Sequence, residues 1–399
     1  MIRKIAASDL RLGMYIHELG RPRANDAFWT AHIERELRDE AVLHRIQQST
    51  REVWIDTRLG ISPEETSTPL PNTPPPIERF TDTRPASMEE ELARARLICG
   101  RAKKAVMNMF SDARMGRSMN VADVDLLVEE ISTSVMRHPH ALISLSRLKV
   151  SDEYTYMHSV AVCALMVATA RQMKLDEEQV REAGVAGLMH DVGKMAIPHK
   201  ILNKPDRLTI DEYEAMKNHP QAGFEILRGS EQITEAVMDV CLHHHEKVDG
   251  TGYPHGLKGE EISLLARMAA ICDVYDAVTS ERCYKKAWDA ARSLREMASW
   301  KGHFDETIFQ HFVKTVGIYP VGTLVRMKSE RLGVVIEQGD KSLLHPKVKV
   351  FMSTRTRTAF RPKIIDLGHP GEEDAIVRFE QVDDWMVGDI NMMWLDLPS

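Results

Sequence analysis

Seven side chains in the middle of the chain carry more chemistry than a folded core needs: His158, His190, Asp191, His219, His244, His245 and Asp273. His190-Asp191 falls at the end of a predicted helix that should stop at Gly193, where two adjacent side chains can leave the helix together toward a cleft. His244 follows Val237 by seven residues, on the face of the apolar stripe Ile233, Val237, Val240 and Cys241, with His245 one step round. Imidazoles aimed at a core cost desolvation unless something engages their lone pairs. Asp273, in an apolar helix and directly after the run Met268–Cys272, carries the same cost unless Arg267 or Arg282 pairs with it. His158 opens the apolar run Ser159–Ala170 and His219 precedes Pro220; alone, these read as a core histidine and a helix cap. Five imidazoles and two carboxylates without a thiolate suit octahedral iron or manganese better than structural zinc. Seven donors exceed the need of one ion. Two divalent ions sharing a bridging carboxylate would use them all, and such pairs, about 3.5–4 Å apart, suit phosphoester hydrolysis. Lys194, three residues after the His-Asp pair, is spaced to donate to a phosphate oxygen. Lys200, Lys204, Arg207, Arg282, Lys285 and Lys286 could form a basic mouth, although each taken singly reads as surface charge.

The elements that position these residues are mostly helical. Met88–Phe110 and Val121–Met136 read as helices. Asp176 with Gln179, and Thr209 with Glu212, are capping boxes that open two more. Ser230 is spaced to cap the helix ending at His243–Glu246, and a further helix is expected over Leu264–Val278. The first residues form a small α+β module, with strand-like Met14–Ile16 and Val53–Ile55 and a helix near Ala31–Ile46. Seven of the eighteen prolines fall between Ser62 and Ser87, a composition that reads as an extended linker. From Pro320 the texture changes to β-branched runs, Thr323–Met327, Gly333–Ile336 and Val348–Phe351. The expected organisation is an α+β domain over 1–62, a linker over 63–87, connecting helices over 88–137, a helical catalytic domain over 138–320 and a β-rich tail over 321–399.

Composition narrows the function classes. Lys+Arg 52 against Asp+Glu 59 gives a net charge of −7, which argues against a general grip on a nucleic acid polymer. Five scattered cysteines without a CxxC pair fit a reducing compartment. Ser159–Ala170 is far short of the roughly 20 residues of a spanning helix, and no signal-peptide core opens the chain, so a cytoplasmic protein without membrane insertion is expected. Histidine stands out. Ten of seventeen lie in the 118 residues from His138 to His255.

The segments HDVGKMAIPHKILNKPDRL (190–208), HHEKVDGTGYPHGL (244–257) and DVYDAVTSERCYK (273–285), with His219 between them, resemble the HD-GYP family of bacterial cyclic di-GMP phosphodiesterases. The likeness covers about residues 145–320 and includes Gly252-Tyr253-Pro254, while Leu12–Tyr15 and Trp29 resemble an uncharacterised domain often fused ahead of it. It implies a mostly α fold with an HD-type helical bundle core. One metal ion would be held by His158, His190, Asp191 and Asp273, and a second by His219, His244 and His245 with Asp191 bridging. The resemblance further implies Lys194 at the scissile phosphate, and Arg282, Lys285 and the Gly252-Tyr253-Pro254 loop at the nucleotide. Members use iron, and some manganese. The implied reaction is attack of an activated hydroxide on a phosphodiester, opening cyclic di-GMP to linear pGpG, with a second cut giving GMP. Implied partners are cyclic di-GMP, diguanylate cyclase domains through the Gly252-Tyr253-Pro254 loop, and a second copy of the chain in a homodimer. Three-metal members carry a glutamate where this chain has Tyr154, with Glu153 one residue off its face, so a two-metal site is expected. A weakly catalytic cyclic di-GMP sensor and, more distantly, a di-iron oxygenase are the competing readings.

Overall fold

The structure is a computed structural model that describes residues 2–11, 13–19, 43, 46–47, 50, 52–56, 82–115, 121–147, 154–204, 206–230, 233–280, 287–339, 342–385, 387 and 390–395. The chain divides into two compact units, Met1–Glu78 and Arg79–Ser399. In the first, β1 (Ile2–Ala6), β2 (Ile16–Leu19) and β3 (Glu52–Asp56) form an antiparallel sheet in the order β1-β3-β2, with Leu10, Met14, Ile16, Val53 and Ile55 buried on it. The β1 strand had no counterpart in the sequence reading. The expected helix over 31–46 and most of the proline-rich stretch lie outside the described residues.

The second unit opens with α1 (Met88–Arg114), α2 (Val121–Arg137) and α3 (Pro139–Ser146). Ser87 and Glu90 close a capping box at the start of α1. These helices share one apolar core with those that follow: Ile98, Val106, Phe110 and Ile131 pack in the same cluster as Val160, Leu188, Val240, Ile271 and Phe312. Next come α4 (Tyr154–Gln172), α5 (Glu177–Met189), a 3-10 turn (Val192–Ala196), α6 (His199–Leu202), α7 (Ile210–Met216), α8 (His219–Arg228) and α9 (Glu235–His243). The helical part ends with α10 (Leu264–Thr279), α11 (Ala290–Ser299) and α12 (Glu306–Val316).

Both capping boxes expected from the sequence are formed, at Asp176/Gln179 and Thr209/Glu212. The cap expected at Ser230 is not. Thr234 caps α9 instead, its hydroxyl accepting the Val237 N–H at 3.4 Å, so Ile233 lies ahead of the helix. The helix expected to run to Gly193 ends at Met189, because the chain tightens into the 3-10 turn that carries the glycine. A Cβ at Gly193 would lie 1.9 Å from the His219 carbonyl oxygen and 2.4 Å from Gly223 N, so only glycine permits this approach of the turn to α8.

Beyond α12, β4 (Leu324–Met327), β5 (Arg331–Glu337), β6 (Lys347–Ser353), β7 (Ala359–Asp366) and β8 (Ile376–Phe379) form an antiparallel sheet in the order β7-β6-β5-β4-β8, followed by α13 (Ile390–Leu395). One face packs Leu324, Leu332 and Val334 with Met88, Leu92 and Ala141 from the helices. The sequence reading missed β7 and β8. Six of the eight residues of β7 are exposed in a row, so no alternation marks the strand. Among the described residues, no helix is long and apolar enough to cross a membrane.

Candidate metal centre

Five helices and the 3-10 turn deliver the seven side chains to one place. His158 lies in the first turns of α4, His190 caps the end of α5, and Asp191 begins the turn. His219 starts α8, His244 caps the end of α9 with His245 next, and Asp273 lies mid-way along α10. All except His245 are buried, and His245 is partly so.

Asp191 stands between two groups of imidazoles. Its Oδ2 is 3.4 Å from His158 Nε2 and 3.3 Å from His190 Nε2. Its Oδ1 is 3.4 Å from His219 Nε2 and 3.9 Å from His244 Nε2. Asp273 places Oδ1 3.0 Å from His158 Nε2 and Oδ2 3.9 Å from His245 Nδ1. His219 Nε2 lies 3.4 Å from His244 Nε2 and 3.2 Å from His245 Nε2. Three sets have their donor atoms within 4.8 Å of one another: His219/His244/His245, His158/His190/Asp273 and His190/Asp191/His244.

The outer nitrogens explain why the inner ones face each other. His190 Nδ1–H donates to the Gly187 carbonyl at 2.8 Å, and His219 Nδ1–H to the Met216 carbonyl at 2.8 Å. His244 Nδ1 lies 3.1 and 3.0 Å from the Val240 and Cys241 carbonyls, and His158 Nδ1 lies 2.6 Å from Asp276 Oδ2. With the proton on Nδ1, each Nε2 presents a lone pair inward. His190 Nε2 and Asp191 Oδ1 are fully buried and make no hydrogen bond, a cost that a cation would remove.

Electrostatics point the same way for three of the rings, whereas His158, which burial would lower, is raised to about 9 by Asp191, Asp273 and Asp276. Burial pulls His219 down to about 3 and His245 to about 4, against the opposing pull of the aspartates, and holds His244 well below its ordinary 6.5. These rings are therefore neutral at neutral pH, with lone pairs free for a metal. Burial alone would raise both carboxyls, but Lys194 and the imidazoles hold Asp191 well below the usual carboxylate range, and His158 does the same for Asp273. Lys194 Nζ donates to Asp191 Oδ2, so its ammonium stands at the edge of the cage. A compact set of imidazole and carboxylate donors with orphaned inner atoms fits divalent cations.

The loop after α9 forms one wall. The carboxylate of Glu246, buried at 2% exposure, accepts the backbone N–H groups of His255, Gly256 and Leu257 at 2.7, 3.0 and 3.2 Å. Gly252 lies so close to the start of this loop that a Cβ would sit 2.4 Å from Glu246 Cα and Lys247 N. These constraints hold the Tyr253 ring stacked on His245, with centroids 4.7 Å apart. Pro254 follows Tyr253 through a cis peptide bond.

Neither simple salt bridge considered for Asp273 is seen among the described residues. Arg267 pairs with Asp305 at 2.7 Å instead, and Arg282 lies outside the described residues, as do Lys285, Lys286 and Glu153. Tyr154 opens α4. Of the basic mouth, Lys204 is tied to Glu212. Two residues with clear roles in the geometry went unnoticed in the sequence: Glu246, and Asp276, which orients His158. The signal for Asp276 was present, since a second aspartate three residues after Asp273 on an apolar helix lies on the same face. Asp276→Ala should lower metal affinity about 10–100-fold, as loss of such outer partners does. Asp276→Asn should restore part of it, measured by competition with a chelator.

An HD-type helical core with a buried histidine–aspartate cluster defines a metal-dependent phosphohydrolase. Residues 133–308 match the HD domain family, and residues 2–124 match a domain of unknown function (DUF3391). The whole chain is 51% identical to cyclic di-GMP phosphodiesterase PA4108 of Pseudomonas aeruginosa, over 96% of that protein. Forty per cent of the chain is 42% identical to the cyclic di-GMP phosphodiesterase response regulator RpfG of Xanthomonas campestris pv. campestris, over 43% of its length. The structure of Bd1817, an HDG"Y"P protein from Bdellovibrio bacteriovorus, shares the fold with a TM-score of 0.50 at 18% identity, covering 79% of this chain and 99% of that one. The chain belongs to the HD-domain family of cyclic di-GMP phosphodiesterases.

Proposed function

We propose that the protein hydrolyses cyclic di-GMP, to pGpG or to GMP, at a centre of two divalent ions. The observation that carries this reading is the division of Asp191, with one carboxylate oxygen toward His158 and His190 and the other toward His219 and His244. One ion is assigned to His158, His190, Asp191 and Asp273, the other to Asp191, His219, His244 and His245. When bound, such a pair supplies positive charge at the phosphate and a water of lowered pKa. The chain's own groups do the rest. Neutral His219, His244 and His245 and two ionised aspartates set much of the charge of the cage. The Lys194 ammonium, beside Asp191, is aimed to neutralise a non-bridging oxygen of the scissile phosphate as charge builds there. Tyr253, held by Glu246, gives the nucleotide a wall, and Gly252 and Pro254 shape its loop. Arg282 and Lys285 are assigned to the nucleotide's phosphate or guanine end.

The donor set favours iron, with manganese as the alternative. Residues 1–62 act as an input module joined through 63–87, the helices over 88–137 connect it to the catalytic domain over 138–320, and 321–399 form the β-rich tail. Diguanylate cyclase domains are assigned to the Gly252-Tyr253-Pro254 loop, with a homodimer as the assembly and the cytoplasm as the compartment. Anaerobically prepared protein, loaded with iron or manganese, should contain about two ions per chain and convert cyclic di-GMP to pGpG or GMP by chromatography. A full metal load with micromolar binding and no turnover would instead make the protein a cyclic di-GMP sensor.

A further inference from the structure

Cyclic di-GMP carries two phosphodiesters and two guanines, but the metal cage and Lys194 serve only the phosphate being cut. One aromatic ring beyond the cage lies a group that no step of the reaction uses. Lys217 closes the end of α7, and its Nζ stands 5.9 Å from the ring centroid of Tyr253, the ring stacked on His245. On its other side the same ammonium lies 5.4 Å from the Tyr213 ring. Its ion pair is with Glu214 at 2.7 Å, three residues away on the same helix, and Glu214 is 61% exposed. A solvent-facing pair of this kind is worth little and is readily exchanged for a better anion. Tyr213 is 51% exposed despite its size, and Ile210, one turn earlier, is 82% exposed. Neither is needed to close the core. An exposed tyrosine face beside a cation next to the metal ligands matches what a base and its phosphate require: a stacking surface and a counter-charge.

Resting on the cyclic di-GMP reading above, we infer that Lys217 and Tyr213 form a distal shelf, where Lys217 holds the phosphate that is not being cleaved and Tyr213 stacks a guanine. The shelf selects for a cyclic dinucleotide over a simple phosphodiester. It bears on which substrate enters the cage rather than on the bond-breaking step inside it. Tyr253 is shared, its ring facing His245 inward and Lys217 outward.

The test uses the full-length, metal-loaded protein and two substrates: cyclic di-GMP and bis(p-nitrophenyl) phosphate, a diester with one phosphorus and no purine. The readout is the ratio of kcat/KM for the first over the second, which cancels any loss of folded or metal-loaded enzyme. In Lys217→Met this ratio should fall about tenfold, the usual worth of one hydrogen bond to a charged group. The fall should come mostly through KM for the dinucleotide, and Lys217→Arg should keep most of the ratio. Tyr213→Ala, which removes an exposed ring, should lower it by a similar factor. An unchanged ratio in both Lys217→Met and Tyr213→Ala would overturn the shelf, as would an equal loss on both substrates, which would make Lys217 only a prop for Tyr253. A wild-type protein that cleaves the nitrophenyl diester but not cyclic di-GMP would overturn the substrate reading itself, and the shelf with it.

Discussion

Asp191→Asn is expected to remove at least one of the two ions and to lower turnover about a thousandfold or more, the scale set by losing several kcal/mol of charge stabilisation at a metal site. The amide keeps the volume of the carboxylate, so the change is one of charge and donor chemistry and not of packing. Asp191 is 1% exposed and is the carboxylate that faces four imidazoles, two with each oxygen. An amide offers one weak acceptor in place of two anionic oxygens, and its NH2 group would point at an imidazole lone pair or at an ion. Lys194 loses its partner in the same step. Metal per chain by mass spectrometry and turnover by chromatography should fall together. Retention of both ions with normal turnover would show that the bridge lies elsewhere.

The second large effect is expected at a residue that touches no ion in this scheme. Glu246→Ala should lower the melting temperature and raise KM for cyclic di-GMP while leaving the metal content near that of the wild type. The carboxylate gathers three successive backbone N–H groups, and removing it leaves them without acceptors, at about 1–3 kcal/mol for each that stays buried. Relaxation of the loop would limit this cost, but only by letting Tyr253 leave His245. Glu246→Gln should fall between the two proteins, because its single carbonyl can still take the His255 and Gly256 N–H groups that share one oxygen in the wild type. Circular dichroism melts and steady-state kinetics separate these outcomes.

The parts of the site that were legible in the sequence are those in which polarity contradicts context. Asp273 directly after Met268–Cys272, and His244 on the stripe of Val237 and Val240, are legible because a buried charge or imidazole needs a reason. The capping boxes were legible for the complementary reason: their chemistry is local and complete within four residues. Glu246 was not, because a glutamate after a histidine run looks like surface until the chain folds back to bring three N–H groups to it. Lys217 was not, because its meaning depends on two rings, one of them 36 residues further along the chain. At Ser230 two capping residues competed, and propensity, which ranks serine above threonine, favoured the one that the fold does not use. The strands β7 and β8 pair with β6 and β4, and nothing in their own composition names those neighbours.

His190, His219 and His244 each tether Nδ1 to a carbonyl three or four residues earlier in the chain, at Gly187, Met216 and Val240/Cys241. For His190 and His244 these acceptors belong to the last turn of a helix, although the Val240 carbonyl also accepts the His244 backbone N–H at 3.0 Å. The imidazoles are thus fastened to the scaffold by bonds that do not involve any ion. In small zinc domains the metal is what the chain folds around, and stripping it dissolves the structure. Here the ordering of these rings is met by the fold itself: three imidazoles are placed by carbonyls of the chain, and stripping metal with a chelator is expected to leave the helical circular dichroism signal in place.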